Sequence, residues 1–574
     1  MILDAEAAMG RGATRTAERQ ASALKLNEGA SITFSANKDI KFGGVMLALP
    51  ALLANGLLAH SEKVFAFKKG YYHLSNIFIL LAFSALLRIK TIEEIKKYAP
   101  GEFGKILGLD RCPEIKTIQS KLDYLAEQNK SDEFSSLLSK QWLEESKYAA
   151  GILYVDGHMR IYNGSQTKLP KHFISRQRLC MPGIADYWVN DILGQPFFYV
   201  SSELNEGLIN VLRNEIIPRL LKEVPNQPTD EELKACPELC RFTMVFDREG
   251  YSPQFLQELW QQRIAAITYK KYVKDEWAPE EFIEYKEIVP CGEAITMNIA
   301  ERGVFLSKTM WVREIRKLTE SNHQTAIITT NRQLKTGMVA VYMFARWSQE
   351  NFFKYMSQHY GIDLLCEYGI NDIPDTKTIV NPEYSELTKE IKKSTGIKTK
   401  TSAAFMNCAM DSDNFDKESI EKIMLKKAAL KEKIDELSVK IAELKTKRKT
   451  IPQHIKIAEL PEEYKFKGLA HKKKHILDLI KMIAYRSEVA LSSILKEHRK
   501  DDSVKSFICS LFQNDIDIQP DISKKLLIIS LHNLNNESSD ESARFLCQKL
   551  NETETVFPGT DLRLFFNMVS DSFP

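Results

Sequence analysis

Gly151-Ile152-Leu153-Tyr154-Val155-Asp156 and Phe242-Thr243-Met244-Val245-Phe246-Asp247 are the two stretches on which the reading of this chain turns. Each is a short apolar run that ends on an aspartate. Such a run predicts a strand buried on both faces, and its closing carboxylate then sits at the rim of a sheet. A third acid, Glu350, lies within Arg346-Trp347-Ser348-Gln349-Glu350-Asn351-Phe352-Phe353-Lys354, inside a segment that reads as one helix from Met338 to Tyr360. Two strand-end aspartates followed by a helix-borne glutamate form the oxygen-donor set of a two-metal phosphoryl-transfer site. Hard divalent cations want such ligands, held on rigid elements within a few ångströms of one another.

Around these stretches the texture alternates. Ile152–Val155 is followed by extended segments at Arg160–Tyr162, Tyr187–Val189 and Phe197–Val200. A helix over Leu204–Leu221 turns Leu208, Val211, Leu212 and Ile216 inward. After the Phe242–Phe246 strand come a helix, Gln254–Arg263, and a strand, Ile264–Tyr269. Strands first, then alternating helix and strand, predict a mixed sheet flanked by helices. Four short alternating segments (Phe282–Val289, Ala294–Ile299, Gly303–Leu306, Trp311–Ile315) then read as a small all-β insert over 272–322, outside that sheet. Ala326–Thr329 is one more strand before the glutamate helix.

The flanks read differently. Residues 1–40, with Arg11, Arg15 and Arg19 scattered among Ala, Ser and Thr, read as a loose arm. The stretch 41–145 is helical. Thr91-Ile92-Glu93-Glu94 fits a capping box, and Ile115, Ile118, Leu122 and Leu125 share one face of a helix opened by Pro113. Two such helices make either a helix-turn-helix with Lys116, Gln119 and Lys121 outward or a plain packing domain. Beyond 365 the chain is helical and lysine-rich. Ile423, Leu430, Ile434, Leu437, Ile441 and Leu444 follow a heptad spacing that Pro452 ends, which suits an intramolecular helical hairpin. Residues 465–550 read as helices with one strand, Leu526–Leu531.

The bulk numbers narrow the class. At 574 residues, 44% hydrophobic and 27% charged, the chain is globular and multi-domain rather than disordered or fibrous. A net charge of +3 neither requires nor excludes a polyanionic partner. Nine scattered cysteines suit a reducing compartment. Their one close pair, Cys236 and Cys240, lacks the partners of a zinc site. No secretory signal opens the sequence, and the apolar run Ile77–Leu87 is shorter than the roughly 18 to 20 residues of a membrane span. The expected location is cytoplasmic.

Each carboxylate alone has a plainer reading: Asp156 as a strand-end turn residue, Asp247 as the start of a connection, Glu350 as a solvated helix charge beside Arg346 and Lys354. Their combination, with Gly157 and Gly250 allowing close backbone approach, favours a site. His158 suits either a phosphate contact or a structural role. Lys270 and Lys271, after a strand near the proposed site, suit a grip on a nucleic-acid backbone or a solvated pair. Lys440, Lys445, Lys447, Arg448 and Lys449 read either as a DNA-lining run or as a solvated face.

The residues Tyr154-Val155-Asp156-Gly157-His158, Phe246-Asp247-Arg248-Glu249-Gly250 and Arg346 to Lys354 together resemble the DDE transposases of bacterial insertion sequences. The nearest branch carries a Tyr-Arg-Glu-Lys signature around the glutamate. Its β-rich insertion domain matches the long gap between Asp247 and Glu350. Pro100-Gly101-Glu102-Phe103-Gly104 and Phe557-Pro558-Gly559-Thr560-Asp561-Leu562-Arg563 extend the similarity over most of the chain. The signature positions for Tyr and Lys hold Met343 and Ser357, with Tyr342 and Lys354 close by, so Arg346 and Glu350 transfer more firmly than those two.

The resemblance implies an RNase H-like α/β core over 146–271 and 323–365, interrupted by the 272–322 insertion. The arm 1–40, a helical domain 41–145 and a helical region 366–574 would flank it. It further implies Asp156, Asp247 and Glu350 binding two Mg2+ or Mn2+ ions, with Arg346, Lys354, His158, Lys270 and Lys271 on DNA. The substrates would be double-stranded terminal inverted repeats and target DNA, held by a homodimer in the bacterial cytoplasm at the nucleoid, with no membrane partner. A catalytically idle, co-opted DNA-binding descendant is the alternative, and a hydrolytic nuclease on the same fold a third.

Overall fold

The computed structural model describes residues 12–68, 70–146, 151–164, 169–174, 179–202, 206–273, 275–288, 292, 294–344, 347–366, 370–372, 378–407, 417–460, 467–499 and 503–570. Of the expected loose arm 1–40, the described residues 12–40 include regular elements. Thr16–Ala23 is helical, and β1 (Asn37–Ile40) enters a sheet. The reason is electrostatic: Asp110 has a buried carboxylate that needs donors, and Arg19 supplies a guanidinium while the backbone of Thr14 and Arg15 supplies two N–H groups. The Arg15 side chain in turn bonds the carbonyls of Ser31 and Gly108.

The central sheet has ten strands: β2 (Ile152–Ile161), β3 (Lys171–Ile174), β4 (Leu179–Asn190), β5 (Pro196–Ser202), β6 (Phe242–Phe246), β7 (Ile264–Tyr269), β8 (Ile283–Ile288), β9 (Ala294–Ser307), β10 (Met310–Leu318) and β11 (Gln324–Thr329). Their order is β3-β4-β2-β6-β7-β11-β10-β9-β8, with β5 paired to β4. β2, β6 and β7 run parallel and the other pairings are antiparallel, so the sheet is mixed. Parallel strands need both faces covered, and the all-apolar stretches Ile152–Val155 and Phe242–Phe246 are buried accordingly.

The 272–322 stretch is rich in strands, but it is not set apart from the sheet as expected. β11 bonds β7 on one side and β10 on the other, so β10, β9 and β8 continue the same ladder outward. Ala294–Ile299 and Gly303–Leu306 are also one strand rather than two.

The expected long helix over Met338–Tyr360 consists of Thr336–Phe344, then Trp347–Tyr355 running into a π-helical turn, Met356–Tyr360. The apolar run near Ile77 is the buried helix Leu74–Leu86, which packs on the long helix Lys472–Lys496 and so joins the two helical flanks. Among the described residues no helix is long and apolar enough to cross a membrane.

The heptad pattern forms a hairpin of helices Pro382–Asn407 and Lys417–Lys449. They run antiparallel: Lys440 pairs with Glu390 at 3.0 Å, while Arg448 lies over Tyr384 and Lys427 over Phe405. Four short strands close its base. β12 (Ile370–Asp372) pairs with β15 (Lys467–Leu469), and β13 (Thr378–Val380) with β14 (His454–Lys456). The 465–550 stretch, expected to hold one strand, holds β15 and two more among its described residues, and a further strand follows it. β16 (Ile516–Asp521), β17 (Leu526–Leu531) and β18 (Arg563–Met568) complete a four-stranded sheet ordered β1-β16-β17-β18.

Candidate functional site

Register places the two aspartates. β2 and β6 pair in parallel from Ile152↔Thr243 to Val155↔Phe246, so one step further along β2 is Asp156, and one step past the end of β6 is Asp247, which caps the turn Arg248–Gly250. Adjacent strands lie about 4.8 Å apart, and in-register neighbours of a parallel pair point to the same face. That face is identified by its neighbours in the alternation. The Tyr154 hydroxyl donates to the carbonyl of Tyr342 in the Thr336–Phe344 helix at 2.8 Å, and the His158 ring stacks on Phe353 of the Trp347–Tyr355 helix with centroids 4.9 Å apart. Asp156 falls between Tyr154 and His158, so it faces the two helices.

Backbone donors steady both carboxylates. The N–H of Gly157 donates to Asp156 at 3.0 Å and that of Arg248 to Asp247 at 2.6 Å. At Gly250 a Cβ would fall 2.4 Å from the Phe246 ring, so only glycine allows this turn to close over the strand end.

Glu350 is exposed, on the helix laid across β2 and β4. That helix is held from below. Gln349 is buried and donates to the carbonyl of Trp188 and to Asn190, and Phe352 and Phe353 pack against the Trp188 ring. The register thus puts the backbones of Asp156 and Asp247 one step beyond the last β2–β6 pair, and Glu350 is on a helix that packs on β2. Arg346 lies outside the described residues.

The remaining candidates divide. His158 donates to Asp363 at 2.5 Å while stacked on Phe353, so its ring is already committed between strand and helix. Burial works to raise the Asp363 carboxyl, but the bonds from His158 and Ser357 more than offset it and hold its pKa below the ordinary value. Lys270 forms an ion pair with the buried Glu314, which Arg316 also contacts. Lys271 is half-buried near Glu249, which is exposed. Lys354 is exposed, and Met343, at the tyrosine position of the signature, is buried.

In the N-terminal region Gln119 bonds Glu93, and Lys121 bonds the carbonyl of Lys68 and lies over Phe67, while Lys116 is exposed. Cys236 and Cys240 each accept a hydrogen bond, from Gln333 and Asn331 respectively.

Among the described residues one trio of ligand-type side chains has all its ligand atoms within 4.8 Å of one another: Asp39, Asp517 and His532. Asp156, Asp247 and Glu350 do not meet that spacing. The trio sits where β1, β16 and β17 meet. His532 Nε2 lies 2.9 Å from Asp517 and 3.9 Å from Asp39, and the Asp39 N–H donates to Asp517. Burial would raise the Asp517 carboxyl, and the His532 bond overcomes it, so its pKa is lowered. Two carboxylates and an imidazole can hold one divalent ion. No local pattern marks this trio, because 478 positions separate Asp39 from Asp517.

A family model described as "Transposase protein" matches residues 10–570, nearly the whole chain. No curated protein matches it.

Proposed function

This chain belongs to the transposase protein family, and on that premise we propose that it is a DDE-type enzyme of the insertion-sequence class, cutting DNA at element ends and joining those ends to target DNA. One observation supports the reading: Asp156, midway along β2, and Asp247, just past the end of β6, are each one step beyond the last pair of the parallel β2–β6 ladder, on the face crossed by the Glu350 helix.

The donor chemistry suits hard cations. Three carboxylates offer oxygen ligands, and the nearest imidazole, His158, is held by Asp363. Two like charges on neighbouring strands repel each other, and a bound cation would remove that cost and draw the three acids closer than they stand. Asp156, Asp247 and Glu350 would hold two Mg2+ or Mn2+ ions. Such ions lower the pKa of the attacking water or 3′-hydroxyl and stabilise the departing oxygen. The chain's own part is to keep the three carboxylates on rigid elements. Arg346 and Lys354, on either side of Glu350, would hold the phosphate backbone. On this reading 146–271 and 323–365 make the catalytic core, 272–322 extends its sheet outward, and 41–145 and 366–574 bind DNA and a second protomer. Lys270 is a weaker DNA contact than its sequence position suggests, because Glu314 already holds it.

The test is cleavage of a duplex carrying the inverted repeats that flank the coding sequence, in Mg2+. Asp156→Asn, Asp247→Asn and Glu350→Gln should each abolish cutting while gel-shift affinity stays near parental, since affinity comes from Lys and Arg contacts to phosphate. Asp517→Asn should cut normally. The opposite pattern, with Asp517→Asn inactive and Glu350→Gln cutting at the parental rate, would move the metal centre to the Asp39 trio.

A further inference from the structure

The helix that carries Glu350 does not end as an ordinary helix. Trp347–Tyr355 runs into the π turn Met356–Tyr360, where the Gly361 N–H bonds the Met356 carbonyl and Gly361 takes a left-handed backbone, φ 63°. At 3.6 residues per turn, Tyr355 and Tyr360 would point about 140° apart. A turn closed by bonds five residues apart instead stacks them on one side.

Both hydroxyls then reach one carboxylate. Tyr355 donates to Glu488 Oε1 and Tyr360 to Oε2, each at 2.5 Å. Glu488 belongs to the Lys472–Lys496 helix and is fully buried. Arg88, just past the buried Leu74–Leu86 helix and itself at φ 64°, completes the cluster. Its Nη2 reaches Glu488 Oε1 at 2.5 Å and the Tyr355 hydroxyl at 2.9 Å.

Four parts of the chain therefore meet on one buried acid, since Cys509 of the Val504–Gln513 helix also donates to Glu488 Oε1 at 3.8 Å, and the one of them bearing on the reaction is the Glu350 helix. Tyr355 is five residues from Glu350, about 7.5 Å along the helix axis. A helix pinned at two phenols on one side of its end cannot roll about its axis. Rolling is the motion that would carry Glu350 away from Asp156 and Asp247.

We propose that Glu488 is a positioning residue for catalysis: with Arg88 it clamps Tyr355 and Tyr360 and so sets where the Glu350 carboxylate stands over the two aspartates. The inference rests on the proposed role of Glu350. The π turn gives the clamp its reason within the fold, because without it one carboxylate could not take both phenols. Displacing a ligand by about an ångström costs up to about a hundredfold in rate, and its first symptom is a weaker hold on the cation.

The test uses the full-length protein and the end-bearing duplex, with Mg2+ titrated in the cleavage assay. Glu488→Gln keeps the shape. The double variant Tyr355→Phe with Tyr360→Phe keeps both rings in place and so serves if Glu488→Gln folds poorly. Expected are a rise of about tenfold in the Mg2+ concentration giving half-maximal cleavage, partial recovery in Mn2+, and gel-shift affinity within about twofold of parental. Unchanged Mg2+ dependence in either folded variant overturns the inference alone. So does a parallel loss of cleavage, DNA affinity and melting temperature, which is what a merely structural cluster would give. Glu350→Gln, run alongside, separates the two readings: if it cuts at the parental rate, the catalytic assignment falls and the clamp has nothing to position.

Discussion

Removing the carboxylate of Asp186 should destabilise the protein severely, while removing its partner as well should not. Asp186 lies on β4 opposite His158, and Arg160 on β2 reaches it with two nitrogens, Nε at 2.5 Å and Nη2 at 2.9 Å. Both side chains are about 2% exposed, and the Ser201 hydroxyl donates to the same carboxylate at 2.6 Å. Asp186→Ala leaves a guanidinium buried without its counter-charge, which costs about 3–5 kcal/mol. The lost Ser201 bond adds about 1 kcal/mol. Against a total stability of about 5–15 kcal/mol for a folded protein this is a large fraction.

The double variant Arg160→Met with Asp186→Leu removes both charges and fills the volume. Its cost should be near zero, because two desolvation penalties vanish along with the attraction. Urea unfolding followed by tryptophan fluorescence reads the ordering, and the sign of the coupling matters more than its size. If Asp186→Ala costs under about 1 kcal/mol, the pair behaves like an exposed one and the buried-charge argument is wrong. A double variant worse than the single would refute it equally. Arg160 is four residues along β2 from Asp156, so the single variant should also lower cleavage.

Other outcomes follow from particular groups. Burial lowers the His475 pKa from 6.5 to about 4. Between those values the unfolded chain binds a proton that the folded one refuses, so stability should fall as pH drops from about 6.5 to about 4. His475→Phe should flatten that slope in urea midpoints taken across the range, and an unchanged slope would assign it elsewhere. Burial likewise lowers Lys481 from 10.5 to about 8. Stability should therefore rise as pH increases from about 8 to 10.5, and Lys481→Met should abolish the rise. Lys270→Met should lower the melting temperature, since Glu314 loses one partner, and should leave the salt dependence of DNA binding unchanged. A salt slope smaller by about one contact would mean that Lys270 touches phosphate after all.

What the sequence disclosed depends on how far each interaction reaches along the chain. Apolar runs are local: the stretches before Asp156 and Asp247 carry their own strand signal, although β2 does not end at Asp156 but runs on to Ile161, because its far half pairs with β4. Where strands join is not local. Period-two alternation identified the segments between 282 and 315 as strands, yet it does not say what they pair with, and only β11, bonding β7 and β10 at once, makes them part of the central sheet. The same limit hid the anchoring of Arg19 on Asp110, 91 positions away, and of Arg15 on the Gly108 carbonyl, 93 positions away.

Buried charge is the extreme case. Glu488, in the sequence, is one acid in a helix, and nothing in its neighbourhood predicts full burial. Burial without partners would cost several kcal/mol, so such a residue persists only if other parts of the chain supply donors. Here they come from positions 88, 355, 360 and 509. A chain that places four donors from three segments on one carboxylate ties those segments to a common geometry, and in this fold one of them carries the candidate catalytic glutamate. The acids that would carry the chemistry are therefore legible as local patterns. The acid that orients one of them can be read only from the folded chain, because its role consists of the contacts that folding creates.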